Sequence, residues 1–264
     1  MTLYSPPQAG APSAPDPIPE RLRSYPPETL ILAAHGSADP RSSAVAEALA
    51  GRIRRLRQGL DVHATFLEQS KPFVGDVLAD VARRSATAVV VPMLLANAFH
   101  ASVDLPAVIE ASGASVRRAE VLGEDPALVT LLGRRLSEIG ASADQRDLGV
   151  IVVAVGSSKA AANTRTATLI PALAARTRWA GTEVAFATGP RPTVAEAAVR
   201  LRRRGARQLV VAPWFLAHGR ITDRVAETAA ALGIPMAEPL GSHNLVAATL
   251  LDRFDEARAA LIAA

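Results

Sequence analysis

The sequence contains two similar halves, and this internal duplication limits the folds that the chain can adopt. The segment ETLILAAHGS of the first half resembles DLGVIVVAVGSS of the second, and three further blocks match in the same order. The spacing is regular, because Gly36 and Gly156 are separated by the same 120 positions as Pro72 and Pro192. Four matched blocks in one order indicate that a single structural unit occurs twice.

Within each half, short apolar runs alternate with longer segments of helical periodicity. TLILAA and TAVVVPMLLA have the length and composition of buried strands, whereas SSAVAEALAGRIRRLRQGL has helical spacing. Such alternation favours a mostly parallel sheet that is covered by helices on both faces. The predicted fold class is therefore α/β, with two homologous lobes, each a mostly parallel sheet flanked by helices, and a cleft between them.

The predicted boundaries follow from composition. Residues 1–27 are polar and rich in proline and lack an apolar run, so a disordered tail is expected there. The first half is assigned to residues 28–142 and the second to residues 147–264, with the polar segment ASADQRD as the linker. A chain of this kind is expected to be a monomer that acts as an internal pseudo-dimer.

Composition excludes several classes of function. The 264 residues include no cysteine, so disulfides, thiolate nucleophiles and cysteine-bound zinc are excluded. The formal charge is +4, but the arginines are dispersed and no nucleic-acid-binding motif occurs, so no nucleic-acid partner is expected. No run has the length of a membrane span or the pattern of a signal peptide, which predicts a cytoplasmic protein without a membrane partner.

Three polar side chains of the first half follow predicted strands. His35 ends the first strand, Glu68 ends the second, and His100 follows the third. Because ligands of open α/β sheets bind at the carboxyl ends of the strands, these side chains are expected to share one space. Two imidazoles and a carboxylate suit a borderline divalent ion such as Fe²⁺, Co²⁺, Ni²⁺ or Zn²⁺.

The second half serves as an internal control for this site. At the three equivalent positions it carries Val155, Thr188 and Ile221, so all three polar groups are absent together. One lost site explains this joint absence more simply than three separate structural changes. Taken singly, each group also has an ordinary structural interpretation: a hydrogen-bonded strand-end histidine, a helix-capping glutamate or an exposed loop histidine.

The motifs AHGSADPR, FLE, VVVPMLLANAFHASVDLP and LGEDPALVTLL resemble those of the sirohydrochlorin chelatase family, the ATP-independent class II chelatases of sirohaem and cobalamin synthesis. The resemblance implies insertion of Fe²⁺ or Co²⁺, with Ni²⁺ as a further option, into the tetrapyrrole sirohydrochlorin. It also implies that His35, Glu68 and His100 are both the catalytic and the metal-binding residues. The family usually has a glycine before the last histidine, whereas this chain has Asn97-Ala98-Phe99.

This chemistry agrees with the residues present. A neutral imidazole can hold a metal ion and can accept a proton near neutral pH, and a carboxylate offsets the charge of the ion. No phosphate-binding GxxxxGK[ST] loop occurs, so neither ATP nor any cofactor beyond the substrate metal is expected. Candidate tetrapyrrole-binding residues near the strand ends are Ser37, Arg41, Asn97, Ser102 and Arg220.

Two other functions are compatible with parts of the pattern. A non-enzymatic metal carrier or sensor would use the same three ligands without a cleft for a large ring. A hydrolase with Ser37 as nucleophile is disfavoured, because HGS lacks the G-x-S-x-G elbow. His218 is expected to line the cleft from the second half, and His243 occupies the position of Asp125 and is interpreted as a turn or cap residue.

Overall fold

A computed structural model describes residues 29–84, 86–96 and 103–262, with side chains to residue 259. The predicted tail, residues 1–27, lies outside the described residues. Within the described ranges, none of the helices combines the length and the apolar character that crossing a membrane requires.

The described elements alternate between strand and helix. The first half comprises β1 Thr29–Ala34, α1 Pro40–Leu56, β2 Asp61–Phe66, α2 Val74–Arg83, β3 Thr87–Pro92, α3 Leu105–Ser112, β4 Ser115–Arg118 and α4 Pro126–Glu138. The second half comprises β5 Leu148–Ala154, α5 Ala160–Ala167, α6 Leu169–Ala174, β6 Gly181–Phe186, α7 Val194–Arg203, β7 Gln208–Pro213, α8 Arg220–Ala231 and α9 Asn244–Ile262.

The strands form two parallel sheets, which confirms the predicted fold class of two α/β lobes. The first sheet has the order β2-β1-β3-β4 and the second the order β6-β5-β7. Side chains alternate between the two faces of each sheet. In β1, for example, Leu30 and Leu32 belong to one buried cluster, whereas Ile31 and Ala33 belong to another.

The chain changes direction within each sheet at the central strand. From β1 it passes through α1 to β2 on one side, and it then returns through α2 to β3 on the other side of β1. α1 and α2 lie on opposite faces, since their apolar residues belong to different clusters. The carboxyl ends of β1 and β3 therefore flank a topological switch point, where open α/β sheets bind ligands.

The last helix of each half packs mainly on the other half. α4 contacts α6 and β7 of the second half, and α9 contacts α1, β3 and β4 of the first half. One hydrophobic cluster consequently runs through both halves, with Leu32 of β1 and Val152 of β5 as completely buried members. The halves are thus joined by a shared core, and the predicted boundaries at residues 142 and 147 stay a prediction.

Charged side chains of α9 add hydrogen bonds between this helix and the first half. Arg57, directly after α1, donates to both carboxylate oxygens of Asp255, at 2.5 and 2.7 Å. Arg253 donates to the carbonyl oxygens of Val121 and Leu122 and to the carboxylate of Asp125, just before α4. These bonds connect α9 to the end of α1 and to the loop that precedes α4.

Equivalent helices of the two halves begin in chemically different ways. The carboxylate of Asp125 accepts the N–H of Ala127 at 2.9 Å before α4, as a helix N-cap does. Before α9, the Nδ1 atom of His243 accepts the N–H of Leu245 at 3.1 Å. The cap interpretation of His243 is therefore confirmed, and the cap requires an unprotonated Nδ1.

The surroundings of His243 favour this neutral state. Burial lowers the pKa of His243, and the positive charges of Arg135, Arg134 and Arg52 lower it further. Protonation would remove the acceptor and would place a fourth cation beside the three guanidinium groups. Folding therefore opposes proton uptake at this position.

The free energy of unfolding should consequently fall in mild acid. Above about pH 6.5, the usual pKa of histidine, His243 is neutral in both states and the cap contributes fully. As the pH falls from that value through the lowered pKa of the folded protein, the unfolded chain binds more protons and stability is lost. A His243→Asp variant, which copies Asp125, should lose less stability between pH 7 and pH 5, as measured by thermal unfolding. Equal losses in both proteins would contradict this account, and His243→Ala should cost about 1 kcal/mol at pH 7.5.

Candidate metal centre

The backbone brings the ends of β1 and β2 into direct contact. Beyond the last strand residues, the N–H of Leu67 donates to the Ala34 carbonyl at 2.9 Å, and the N–H of Glu68 donates to the His35 carbonyl at 3.0 Å. Gly36 then turns with φ of 93°. A Cβ atom at this position would lie 1.7 Å from the carbonyl oxygen of Glu68, so only glycine allows the two loops to approach this closely.

These backbone contacts place the side chains of His35 and Glu68 beside each other. The Nδ1 atom of His35 lies 3.4 Å from Oε1 of Glu68 and 3.1 Å from the Gly36 carbonyl oxygen. Both neighbours are acceptors, which favours a proton on Nδ1 and leaves the lone pair on Nε2. The two side chains are 36% and 53% exposed, so a ligand can reach them. A carboxylate in this position can orient the imidazole and accept protons.

Polar side chains of the second loop hold the first loop in place. Gln69 donates through Nε2 to Oε1 of Glu68 at 2.9 Å and accepts the N–H of Ala38 at 3.2 Å. The hydroxyl of Ser70 donates to the Ser37 carbonyl at 2.8 Å and accepts the Ser37 N–H at 3.2 Å. Gln69 has a φ of 61°, which is uncommon for a residue other than glycine. The Glu68 carboxylate is thus positioned by its neighbour.

The second half has the same backbone contacts between its loops but lacks the histidine and the glutamate. The N–H of Thr188 donates to the Val155 carbonyl at 2.9 Å, as Glu68 does to His35. Gly156 has a φ of 92°, and a Cβ atom there would lie 1.8 Å from the Gly189 carbonyl oxygen. The exposed side chain at the position of His35 is Val155, and the Thr188 hydroxyl donates to the Val155 carbonyl at 2.8 Å. The backbone geometry is therefore kept in both halves, whereas, of these two described loop pairs, the first has a histidine beside a carboxylate and the second has Val155 and Thr188.

Arg41 connects the first-half loop to the second half. Its guanidinium binds the carboxylate of Asp39 through Nε at 3.0 Å and through Nη2 at 2.6 Å, and Nη2 also donates to Asp223 of α8 at 2.5 Å. Asp39 also caps α1, since it accepts the backbone N–H of Arg41 at 2.9 Å. The side-chain bond from Arg41 lowers the pKa of Asp39 to about 2. The bond to Asp39, followed by that to Asp223, raises the pKa of Arg41.

His218 lies on the second-half side of the same edge. Its Nε2 atom is 2.8 Å from Oε2 of Glu238, so the imidazole already has a carboxylate partner. The contact between Arg41 and Asp223 of α8 places the loop before α8 near the loop after β1. The expectation that His218 faces the site from the other half agrees with this proximity.

Of the remaining candidate site residues, Ser37 and Arg220 lie in the described part of the chain. Ser37 lies at the site, where its hydroxyl accepts the N–H of Asp39 at 3.0 Å. Arg220 is exposed in the first turn of α8. Within the described residues, no three histidine, aspartate or glutamate side chains form a group that could hold a metal ion. Three of the chosen residues lie outside the described residues: His100, Asn97 and Ser102.

Some residues that shape the site were missed in the sequence. Asp39 had a recognisable signal, because aspartate followed by proline is typical of a helix N-cap and first turn. Gln69, Ser70 and Asp223 had none, since their roles depend on contacts with distant parts of the chain. His63 lies within β2 and pairs with Asp61 at 2.9 Å, away from these loops.

Comparison with known proteins gives consistent matches over both halves. The family model described as CbiX matches residues 29–139 and again residues 149–257. A sirohydrochlorin cobaltochelatase of Priestia megaterium is 26% identical over 208 residues, which cover 76% of this chain and 68% of that protein. A sirohydrochlorin ferrochelatase of the same organism is 25% identical over 209 residues, which cover 76% of this chain and 77% of that protein. The solved structure of SirB from Bacillus subtilis with Fe³⁺ has the same fold, with a TM-score of 0.75 at 20% identity. This match covers 89% of the present chain and 97% of the SirB chain.

Proposed function

Since the chain belongs to the CbiX family, whose model matches both of its halves, we propose that it inserts Fe²⁺ or Co²⁺ into sirohydrochlorin. The match confirms the resemblance to the sirohydrochlorin chelatase family that the motifs indicated. The two curated relatives are named for the same tetrapyrrole but for different metals, cobalt and iron. With iron the product would serve sirohaem synthesis, and with cobalt it would serve cobalamin synthesis.

The observation that carries this proposal is the pair formed by His35 and Glu68 at the carboxyl ends of β1 and β2. The two side chains lie 3.4 Å apart and are accessible, and they have no counterpart at the equivalent backbone contact of the second half. His100 is the proposed third group, because it follows β3, the strand that flanks the switch point together with β1. A site of this kind leaves coordination positions open for the ring.

Insertion of a divalent ion into the ring releases two pyrrole protons. His35 would hold the ion through Nε2 while its Nδ1–H faces the Glu68 carboxylate. Glu68 would accept the two protons one after the other and pass each to solvent, since 53% of its side chain is exposed. The ion must remain weakly bound so that the ring nitrogens can take it, and two imidazoles with one carboxylate favour this release over a closed four-ligand site. No nucleotide takes part in these steps.

An anaerobic absorbance assay tests the proposal. The purified chain is mixed with sirohydrochlorin and with Fe²⁺, Co²⁺ or Ni²⁺ in turn, and the spectral change of the ring is followed against the spontaneous reaction. We expect acceleration with iron or cobalt, and the ratio of the two rates identifies the preferred metal. A protein that binds the metal but does not bind sirohydrochlorin would favour the metal carrier instead.

Removal of the negative charge of Glu68 should slow insertion. We expect Glu68→Gln to lower kcat about 10- to 100-fold, because the amide can neither accept the released proton nor offset the metal charge. The control is Glu110→Gln, which changes an exposed glutamate of α3 and alters the net charge equally. Steady-state rates at saturating metal measure both variants, and similar kcat values would exclude a role of Glu68 in the reaction.

A further inference from the structure

The ion pair between Arg41 and Asp223 joins the two halves at the functional edge of the sheets. Arg41 lies in the first turn of α1, six residues after His35, and Asp223 lies in the first turn of α8. One nitrogen of the guanidinium, Nη2, contacts carboxylate oxygens of both Asp39 and Asp223, at 2.6 and 2.5 Å. The cation therefore lies between an acid of its own loop and an acid of the other half.

The two carboxylates are held very differently. Asp39 is bound by two nitrogens of the Arg41 side chain and by its backbone N–H, and only 15% of its side chain is exposed. Asp223 is 43% exposed, and within the described part of the chain its carboxylate contacts Arg41 alone. Exposed ion pairs of this kind are weak, because water competes for both charges. Asp223 is thus the partner that an incoming carboxylate can replace.

Arg41 itself is accessible to such a ligand. Its side chain is 49% exposed, and Asp39 keeps the guanidinium in place from one side. Guanidinium groups bind carboxylates with two parallel hydrogen bonds, so a ligand carboxylate can take over the bond that Asp223 now occupies.

On the basis of the proposed function, we infer that Asp223 occupies the place of a substrate carboxylate and that the tetrapyrrole displaces it from Arg41. Asp223 is then a specificity-determining residue. A ring with a carboxylate at the matching position replaces the bond to Asp223, whereas a ring without one leaves Asp223 on Arg41 and gains no bond there. The exchange also removes a link between α1 and α8 at the site.

Binding measurements without metal test this inference. Sirohydrochlorin is titrated into the full chain, and Kd is obtained from the absorbance change. We expect Asp223→Asn to lower Kd about two- to fivefold, because the competing carboxylate is removed, and Arg41→Ala to raise Kd about tenfold. In the Arg41→Ala background, Asp223→Asn should have no further effect. In turnover, Asp223→Asn should lower KM by a similar factor.

The matched control is Asp80→Asn, which removes an equally charged surface aspartate that pairs with Arg83 and Arg84 on α2. An equal gain in affinity from Asp80→Asn, an unchanged Kd for Asp223→Asn, or a gain that persists without Arg41 would each overturn the inference. Wild-type protein that does not bind sirohydrochlorin would overturn the proposed function as well. Wild-type protein that binds it, but without the expected effect of Asp223→Asn, would overturn this inference alone, so the two failures are distinguishable. Thermal unfolding of each variant verifies that the fold is intact.

Discussion

His35→Ala is expected to lower the rate of metal insertion by at least about 100-fold while the fold stays intact. We propose that this imidazole holds the metal ion, and it faces Glu68, the carboxylate that we assign to proton removal. Its side chain is partly exposed and lies beyond the end of β1, so its loss leaves no cavity in the core. The measurement is the initial rate of insertion into sirohydrochlorin, with thermal unfolding as the test of the fold.

His63 provides a matched control for this substitution. It has a similar exposure of 39% and a carboxylate partner, Asp61, but it lies near the start of β2, at the opposite end of the sheet. We expect His63→Ala to keep the full insertion rate and His218→Ala to reduce it much less than His35→Ala. If His218→Ala proved as damaging as His35→Ala, the chemistry would have to be assigned to both halves.

Gly36→Ala is expected to destabilise the protein by more than about 3 kcal/mol and to remove activity. The added methyl group would lie 1.7 Å from the Glu68 carbonyl oxygen, which belongs to the backbone and cannot move aside without breaking the contact between the two loops. The positive φ of 93° adds conformational strain. Denaturant unfolding measures the stability, and the insertion rate measures the damage to the site.

Two other glycines separate the causes of this loss. Gly59 has a similar φ of 84° but no atom within 4 Å of an added Cβ, so Gly59→Ala should cost only about 1–2 kcal/mol. Gly156→Ala makes the equivalent clash in the second half and should destabilise as strongly as Gly36→Ala. We expect the folded fraction of Gly156→Ala to retain activity, because no metal-binding group lies in that loop. Equal stabilities for Gly36→Ala and Gly59→Ala would show that the loop relaxes.

Most of the fold was predictable because it depends on local patterns. Apolar runs such as those of β1 and β3 indicated buried parallel strands, and the 120-residue repeat indicated two units. The break between α5 and α6 also has a local cause: Pro171 cannot donate to the carbonyl of Ala167, where α5 ends. The packing of α4 on β7 was not predictable, because an amphipathic helix shows that it has an apolar face but not which sheet this face covers.

The site was predictable only where side chains follow strands. His35 and Glu68 were placed correctly at neighbouring strand ends, because parallel strands align their carboxyl ends at one edge. Their roles in metal binding and catalysis stay predictions, as does that of His100. The positioning of Glu68 by Gln69 and the pairing of Arg41 with Asp223 were missed, because each depends on loop geometry that has no periodic signal.

The sequence alone determined the α/β class, the duplication and the family, because these depend on residue periodicity and on motifs whose letters are contiguous. It also determined that the histidine and the glutamate at the ends of the first two strands have no counterpart in the second half, where Val155 and Thr188 stand. The tertiary structure decided how the halves share one core, which atoms of His35 and Glu68 face each other, and which acid Arg41 binds. The last of these contacts joins residues that are 182 positions apart. Such contacts are set by how the sheets and helices pack, and neither residue spacing nor composition records that packing.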